Sequence, residues 1–77
     1  MPKAFMLINV ETGSEDDILS QLKQMEFVEE AYVSYGGYDL IMRVKADSMT
    51  ELKEKVTNRI RSLDKVRSTI TLIMMEK

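Results

Sequence analysis

The 77-residue chain has a formal net charge of −2 and contains neither cysteine nor histidine. These counts exclude disulfide bonds, thiolate and imidazole metal ligands, and the side chain that most often acts as a general base near neutral pH. The negative net charge argues against a positive surface that would bind nucleic-acid backbones. A domain this small also needs a further source of stability, and oligomerisation is the remaining way to provide it.

The chain opens with a strand and a helix. Residues Lys3 to Val10 are rich in Phe, Leu, Ile and Val, and Thr12-Gly13 ends the run, which predicts the first strand. Ser14, with Asp17 three residues later, resembles a capping box. Apolar residues then recur at helical spacing, so we predict an amphipathic helix that ends near Met25.

A β-hairpin follows. Phe27 to Tyr35 mixes β-branched and aromatic residues and predicts the second strand. Gly36-Gly37 permits positive φ, so the chain can reverse there into a third strand from Tyr38 to Lys45.

A second helix and a fourth strand complete the order. Ser48 and Glu51 form a better capping box, after which apolar residues recur every three to four positions, so a helix is predicted over Met49 to Leu63. The tail from Val66 to Met75 is β-branched and apolar, which predicts the last strand.

The order β-α-β-β-α-β contains a pseudo-repeat. Each half has a strand that ends at Val10 or Val44, a capped helix, and a strand that begins at Val28 or Val66. This pattern favours an α+β, ferredoxin-like fold, interpreted as one domain over residues 1–77. Right-handed crossovers then give a four-stranded antiparallel sheet in the order 4-1-3-2, with both helices on one face.

The second face of that sheet is predicted to be apolar and to be buried against another subunit. An antiparallel sheet facing water normally alternates apolar with polar residues, but three of these strands are apolar on both sides. We therefore expect a dimer packed sheet to sheet, the alternative being a monomer with scattered surface apolar residues. The residues concerned are Ala4, Phe5, Met6, Leu7, Ile8, Leu40, Ile41, Met42, Val44, Ile70, Leu72, Ile73, Met74 and Met75.

Catalysis finds little support in the sequence. Without His or Cys the usual nucleophile and base pairs are missing, so we predict a protein that is not an enzyme and holds no metal or cofactor. The longest apolar run near the N-terminus, Ala4 to Ile8, is too short to span a bilayer, and we expect a cytoplasmic protein that contacts neither a membrane nor, directly, nucleic acid.

Two segments remain as candidates for ligand binding. Gly36-Gly37-Tyr38-Asp39 combines a turn with accessible backbone N–H groups and a carboxylate that can bind an ammonium group. Thr69 and Thr71 place both hydroxyls on one face of the last strand, opposite Ile70. These groups suit an α-amino acid. The same residues are also explained without a ligand, because an Asp side chain often hydrogen-bonds to the backbone of its own turn and Thr is favoured in strands.

Two linked motifs carry a family resemblance that covers the chain from Ala4 to Met75. V-x-E-A-Y leads into G-x-Y-D, and V-R-x-T-x-T follows the second helix; their residues are Val28, Glu30, Ala31, Tyr32, Gly36, Tyr38, Asp39, Val66, Arg67, Thr69 and Thr71. The sequence closely resembles the C-terminal effector domain, called RAM, of the Lrp/AsnC or feast/famine transcription regulators. It departs at Glu26-Phe27 and Asp64-Lys65, where the family often has Pro-Gly, and at Tyr35, which replaces a frequent Thr and is placed to narrow the pocket.

The resemblance implies a function in the control of amino-acid metabolism. Such domains dimerise through their sheets as a dimeric α/β-barrel-like assembly and assemble further into tetramers, octamers or similar rings. An amino-acid effector binds between dimers, where Gly36, Gly37, Tyr38 and Asp39 would hold its main-chain groups and Thr69 and Thr71 would contribute hydroxyls.

Family regulators carry a helix-turn-helix region before this module, whereas this chain starts at the first strand. It is similar to a stand-alone version that acts by assembling with itself or with full-length Lrp/AsnC regulators. Two other readings stay open at this point. One is a small dimeric α/β-barrel enzyme of the monooxygenase or isomerase kind, and the other is a structural partner module without a ligand.

Overall fold

The structure, a computed structural model, describes residues 2–74. The elements are, in chain order, β1 (Lys3–Val10), α1 (Glu15–Lys23), β2 (Val28–Val33), β3 (Leu40–Lys45), α2 and β4 (Val66–Met74). The helix α2 joins a π-helical segment, Glu51–Val56, to an α-helical segment, Thr57–Arg61. Met75, the predicted end of the last strand, lies outside the described residues.

The four strands form one antiparallel sheet in the order β2-β3-β1-β4. This is the predicted order written from the other edge, and the ferredoxin-like fold is confirmed. Side chains from one face of the central strands join those of α1 and α2 in a single buried cluster. Both helices therefore cover the same face, and the other face, called the open face below, has no helix or strand from residues 2–74 over it.

The core follows the alternation expected of a half-covered sheet. Residues Ala4, Met6, Ile8 and Val10 of β1 are buried and alternate with half-buried or exposed neighbours. Ile18 and Leu22 of α1 and Leu52, Val56 and Ile60 of α2 pack against this strand and against Leu40, Met42 and Val44.

The pseudo-repeat is visible in the strand pairing. Val28 opens β2 opposite Val44, and Val66 opens β4 opposite Val10. Just past each valine pair the register shifts by a β-bulge, which leaves Glu29 in one half and Arg67 in the other as the extra residue. The two outer strands are thus attached to the two central strands in the same way.

The helix starts differ from the capping expectation in one case. The backbone N–H of Glu51 donates to Ser48 Oγ at 3.1 Å, as the second capping box predicts. Ser14 occupies the first cap position but its side chain makes no cap bond, and the first box is therefore wrong. Instead the Gly13 N–H donates to the carboxylate of Glu15, at 3.0 Å to Oε2.

The turn before β4 departs from ordinary backbone geometry. Lys65 has a φ of 76°, and it is the single residue with a side chain and a positive φ within residues 2–74. It stands where the resemblance expects glycine, which takes this conformation without steric cost. The corresponding turn at Glu26-Phe27 avoids the left-handed region, so the missing Pro-Gly matters only in the second half of the repeat.

Candidate ligand-binding site

The loop between β2 and β3 is closed at its base by backbone hydrogen bonds. The Ser34 N–H donates to the Asp39 carbonyl at 2.8 Å, and the Asp39 N–H donates to the Ile8 carbonyl at 3.0 Å. Gly36 has a φ of 124°, so the predicted positive φ is confirmed at the position where the chain reverses. The Gly36–Asp39 loop is therefore held against the end of β1.

The Asp39 carboxylate extends this attachment. Its Oδ2 accepts a hydrogen bond of 2.9 Å from the backbone N–H of Val10. The Val10 N–H and the Ile8 carbonyl point to the same side of β1, toward β3. The Asp39 carboxylate therefore accepts the hydrogen bond that a main-chain carbonyl of β3 would accept if the pairing of the two strands continued. Asp39 Oδ1 accepts no hydrogen bond from residues 2–74, and so remains available to an ammonium group.

Asn9 and Ser68 belong to the same corner of the sheet, although the sequence reasoning missed them. Asn9 Oδ1 accepts from the Asp39 N–H at 3.2 Å, and Asn9 Nδ2 donates to Ser68 Oγ at 3.4 Å. Asn9 is the one amide in an otherwise apolar run from Ala4 to Val10. A single polar residue in such a run was the feature of the sequence that could have indicated its place at the site.

The two predicted threonines lie on the helix-covered face of β4. Thr69 pairs with Ile8 and Thr71 with Met6, and both of these β1 residues are buried under the helices. The prediction that the hydroxyls share one face, opposite Ile70, therefore agrees with the alternation of burial along β4. Ser68 pairs instead with Asn9, whose neighbours in β1 place it on the open face.

Within residues 2–74 the six predicted site residues form two separate groups, the loop before β3 on one side of β1 and the two threonines of β4 on its other side. Thr69 and Leu40 lie on either side of Ile8, hence about 10 Å apart across the sheet. Tyr38 is half-buried at the loop base, whereas Tyr35 is 98% exposed within residues 2–74. A groove of about 1070 Å³ lies elsewhere, between α1 and α2, and none of the six predicted residues lines it.

The open face carries large apolar side chains in contact with solvent. Phe5 pairs with Leu72, and Leu7 pairs with Ile70 and Ile41, so these side chains form adjoining rows across the sheet. Leu72 is 51% exposed and Tyr32 57%. The sequence prediction of an uncovered apolar surface on this side is confirmed for residues 2–74.

Comparison with known proteins decides the family. The protein-family model for the Lrp/AsnC ligand binding domain matches residues 3–77. The chain belongs to this family. Its recognised resemblance to the RAM module is therefore confirmed, and its relatives are named as regulatory proteins and transcriptional regulators.

Two crystal structures match the domain over nearly its full length. FFRP-DM1 is 37% identical with a TM-score of 0.92, covering 97% of this chain and 100% of that one. The hypothetical protein PHS023 from Pyrococcus horikoshii is 36% identical with a TM-score of 0.90, covering 100% of this chain and 93% of that one.

Curated relatives are longer proteins. Regulatory protein AsnC from Escherichia coli K12 is 33% identical over 58 residues, which is 75% of this chain and 38% of that protein. The chain spans less than half the length of the curated relatives it matches. None of the helices within residues 2–74 has the length and hydropathy needed to cross a bilayer.

Proposed function

We propose that the protein binds an amino-acid effector and assembles with further copies to regulate transcription of amino-acid metabolism in the cytoplasm. In this proposal it is not an enzyme, and it acts by assembly with itself or with full-length Lrp/AsnC regulators. Membership of the ligand-binding domain family supports the ligand class in general terms.

The observation that carries the proposal is the state of the Asp39 carboxylate. One oxygen is fixed by the Val10 N–H at 2.9 Å, which orients the group, and the other has no partner within residues 2–74. An oriented carboxylate beside a glycine loop suits an α-amino acid, because the Asp39 carboxylate accepts a charge-assisted hydrogen bond from the ligand's ammonium group while loop N–H groups donate to the ligand's carboxylate. We therefore assign main-chain recognition to Gly36, Gly37, Tyr38 and Asp39.

Assembly is part of the same proposal because one chain does not complete the site. Thr69 and Thr71 lie on the opposite face of the sheet from Asn9 and Ser68, with β1 between β4 and the loop. A neighbouring subunit supplies the missing wall in this proposal. The exposed apolar rows of the open face support a sheet-to-sheet dimer as the first step, since covering them removes apolar area from water at about 25 cal/mol per Å².

Calorimetric titration of the assembled protein with each of the twenty L-amino acids tests the effector. A regulator of the same fold from Neisseria meningitidis is described as an L-Met complex; at 13% identity this likeness concerns the fold alone, so L-methionine is simply one member of the panel. We expect at least one amino acid to bind. No binding at millimolar concentration contradicts effector recognition.

Asp39→Asn is the matched variant for that titration. The amide retains an oxygen for the Val10 N–H but carries no charge, so the loop stays attached while the ammonium contact weakens. Since hydrogen bonds to charged groups contribute about 1.5–3 kcal/mol, we expect about 10- to 150-fold weaker binding. Asp47→Asn, an exposed change outside the loop, serves as control and leaves the affinity unchanged. Equal affinity of Asp39→Asn and wild type contradicts the assigned site.

Sedimentation velocity over a dilution series tests the dimer. Leu72→Lys places a charge in the middle of the exposed apolar rows and is expected to yield folded monomers. Asn58→Lys, on the exposed side of α2, leaves the dimer intact. A folded wild-type monomer at micromolar concentration contradicts sheet-to-sheet pairing.

A further inference from the structure

A row of polar side chains runs across the rim of the open face, next to the Asp39 carboxylate. Leu7 pairs with Ile70 in the last apolar row, and Asn9 pairs with Ser68 in the row beyond it. Asn9 Nδ2 donates to Ser68 Oγ at 3.4 Å, and Asn9 Oδ1 accepts from the Asp39 N–H at 3.2 Å. This row therefore connects the loop before β3 with the first residues of β4.

The β-bulge of β4 adds Arg67 to the same row. Val66 and Thr69 are half-buried, whereas Arg67 and Ser68 between them are both exposed. Arg67 is the extra residue of the bulge, and two residues of a bulge oppose one residue of the partner strand, which here is Asn9. The bulge thus places Arg67 beside Ser68 on the open face instead of turning it toward the helices.

The Arg67 guanidinium has no counter-charge within residues 2–74. The charged residues around the strand ends are Glu11, Asp64 and Lys65, and the Glu11 N–H donates to the Lys65 carbonyl at 2.9 Å. None of these three side chains, nor Asp39, forms an ion pair with Arg67 in the part of the chain that the structure describes. The guanidinium is therefore available to a ligand at this rim.

The hydrogen bonds within the row leave mainly donors for a ligand. Asn9 Oδ1 is already used by the Asp39 N–H, and Ser68 Oγ accepts from Asn9. What remains is the second N–H of the Asn9 amide, the hydroxyl hydrogen of Ser68 and the N–H groups of Arg67. An ionised carboxylate only accepts hydrogen bonds, and it fits the planar guanidinium in a bidentate manner. A carboxylate is therefore the group that complements this end of the row.

We propose that Arg67, together with Asn9 and Ser68, selects an amino acid with an acidic side chain, aspartate or glutamate, as the effector. The inference rests on the proposed function and names the class of ligand for the same site. The ligand's ammonium group binds Asp39, and its side-chain carboxylate extends along the row to Arg67. The β3 and β4 strands lie on either side of β1, about 10 Å apart, and the ligand spans this distance together with the two charged side chains. A cationic side chain is repelled by Arg67, and an apolar one leaves the guanidinium without an acceptor.

Calorimetric titration near neutral pH tests the selection with matched ligands. L-glutamate is compared with L-glutamine and L-aspartate with L-asparagine, because each pair differs in charge but hardly in shape. We expect at least one acid to bind about tenfold or more tightly than its amide. If neither acid binds more tightly than its amide, the inference is overturned. Binding of any amino acid that is lost in Asp39→Asn then leaves the proposed function standing.

Arg67→Met identifies the residue responsible. The variant keeps an unbranched apolar side chain at an exposed position, and circular dichroism checks that it is folded. We expect the preferred acid to bind about tenfold or more weakly and its amide to stay within about threefold of wild type. An equal loss for acid and amide means that Arg67 binds the main-chain carboxylate instead, which overturns the selection.

Lys65→Gln is the control, because it removes one positive charge two residues away and is expected to leave both affinities unchanged. If it weakens binding of the acid as much as Arg67→Met does, the preference reflects the general charge of this region and the inference fails. No binding of any amino acid at millimolar concentration refutes the proposed function and this inference with it.

Discussion

Asp39→Ala tests whether the carboxylate holds the candidate site together. The change removes the acceptor of a 2.9 Å hydrogen bond from Val10, a residue that is 4% exposed. Water reaches such a buried N–H poorly, so the donor loses a charged acceptor and gains little in return. Hydrogen bonds to charged groups are worth about 1.5–3 kcal/mol, and we expect a loss of about 2 kcal/mol in the free energy of unfolding.

The loss is large enough to measure in a chain of this length. For a domain of 60–100 residues, 1 kcal/mol corresponds to roughly 4–8 °C in Tm, so Asp39→Ala is expected to melt about 8–16 °C below wild type. Urea unfolding at one fixed protomer concentration is the appropriate assay, because dissociation of a dimer adds a concentration-dependent contribution to stability. Asp39→Asn retains an acceptor oxygen, and we expect it to lose less than half as much.

Hydrogen exchange locates the effect. In Asp39→Ala the Val10 amide should lose protection selectively, while the Met42 amide in the centre of the sheet changes only with global stability. If Asp39→Ala unfolds within about 0.5 kcal/mol of wild type, or if Val10 keeps its protection, the carboxylate does not serve as the end of the ladder.

Four further substitutions probe local features of the fold by urea unfolding. Lys65→Gly relieves a positive φ and should stabilise the protein by about 1 kcal/mol; a loss of stability would mean that the turn is not strained. Ser48→Ala removes the α2 cap and should cost about 1 kcal/mol, whereas Ser14→Ala, which removes no cap bond, should cost clearly less; equal losses would contradict the observed capping. Tyr35→Ser should leave the unfolding free energy within about 0.5 kcal/mol, because the ring is almost fully exposed, and a larger change would reveal a contact within the protomer.

Strand and helix order were predictable because each element has its own local signal. Lys3 to Val10 is the observed first strand residue for residue, and the sheet order follows from two right-handed crossovers. Boundaries next to turns were less accurate, because Phe27 and Tyr38 are as strand-favouring as their neighbours but lie in the turns that the backbone needs. The π-helical segment Glu51–Val56 could not be predicted from the spacing of apolar residues. Leu52 and Val56 are four positions apart, and this spacing is also typical of an α-helix.

The candidate site was only partly predictable. Spacing places Thr69 and Thr71 on the same face of β4, but it does not reveal whether that face lies under the helices or on the open side. That choice depends on register, because a shift of one residue moves every side chain to the other face. The Asp39 contact with Val10 joins residues 29 positions apart and has no local signal at all.

The internal repeat explains why one sheet carries two different polar clusters. Asn9 precedes Val10 as Arg43 precedes Val44, and Ser68 stands in β4 where Glu30 stands in β2. The hydrogen bond from Asn9 to Ser68 and the ion pair of Arg43 with Glu30 are therefore the same cross-strand contact in the two halves. Neutral side chains at the first position, Asn9 and Ser68, lie beside the Asp39 carboxylate, which suits the recognition of a charged small molecule proposed above. Charged side chains at the second position, Arg43 and Glu30, form an ion pair instead. The same backbone position thus carries a neutral hydrogen-bonded pair in one half and an ion pair in the other, so the repeat preserves the strand pairing while the side-chain chemistry differs.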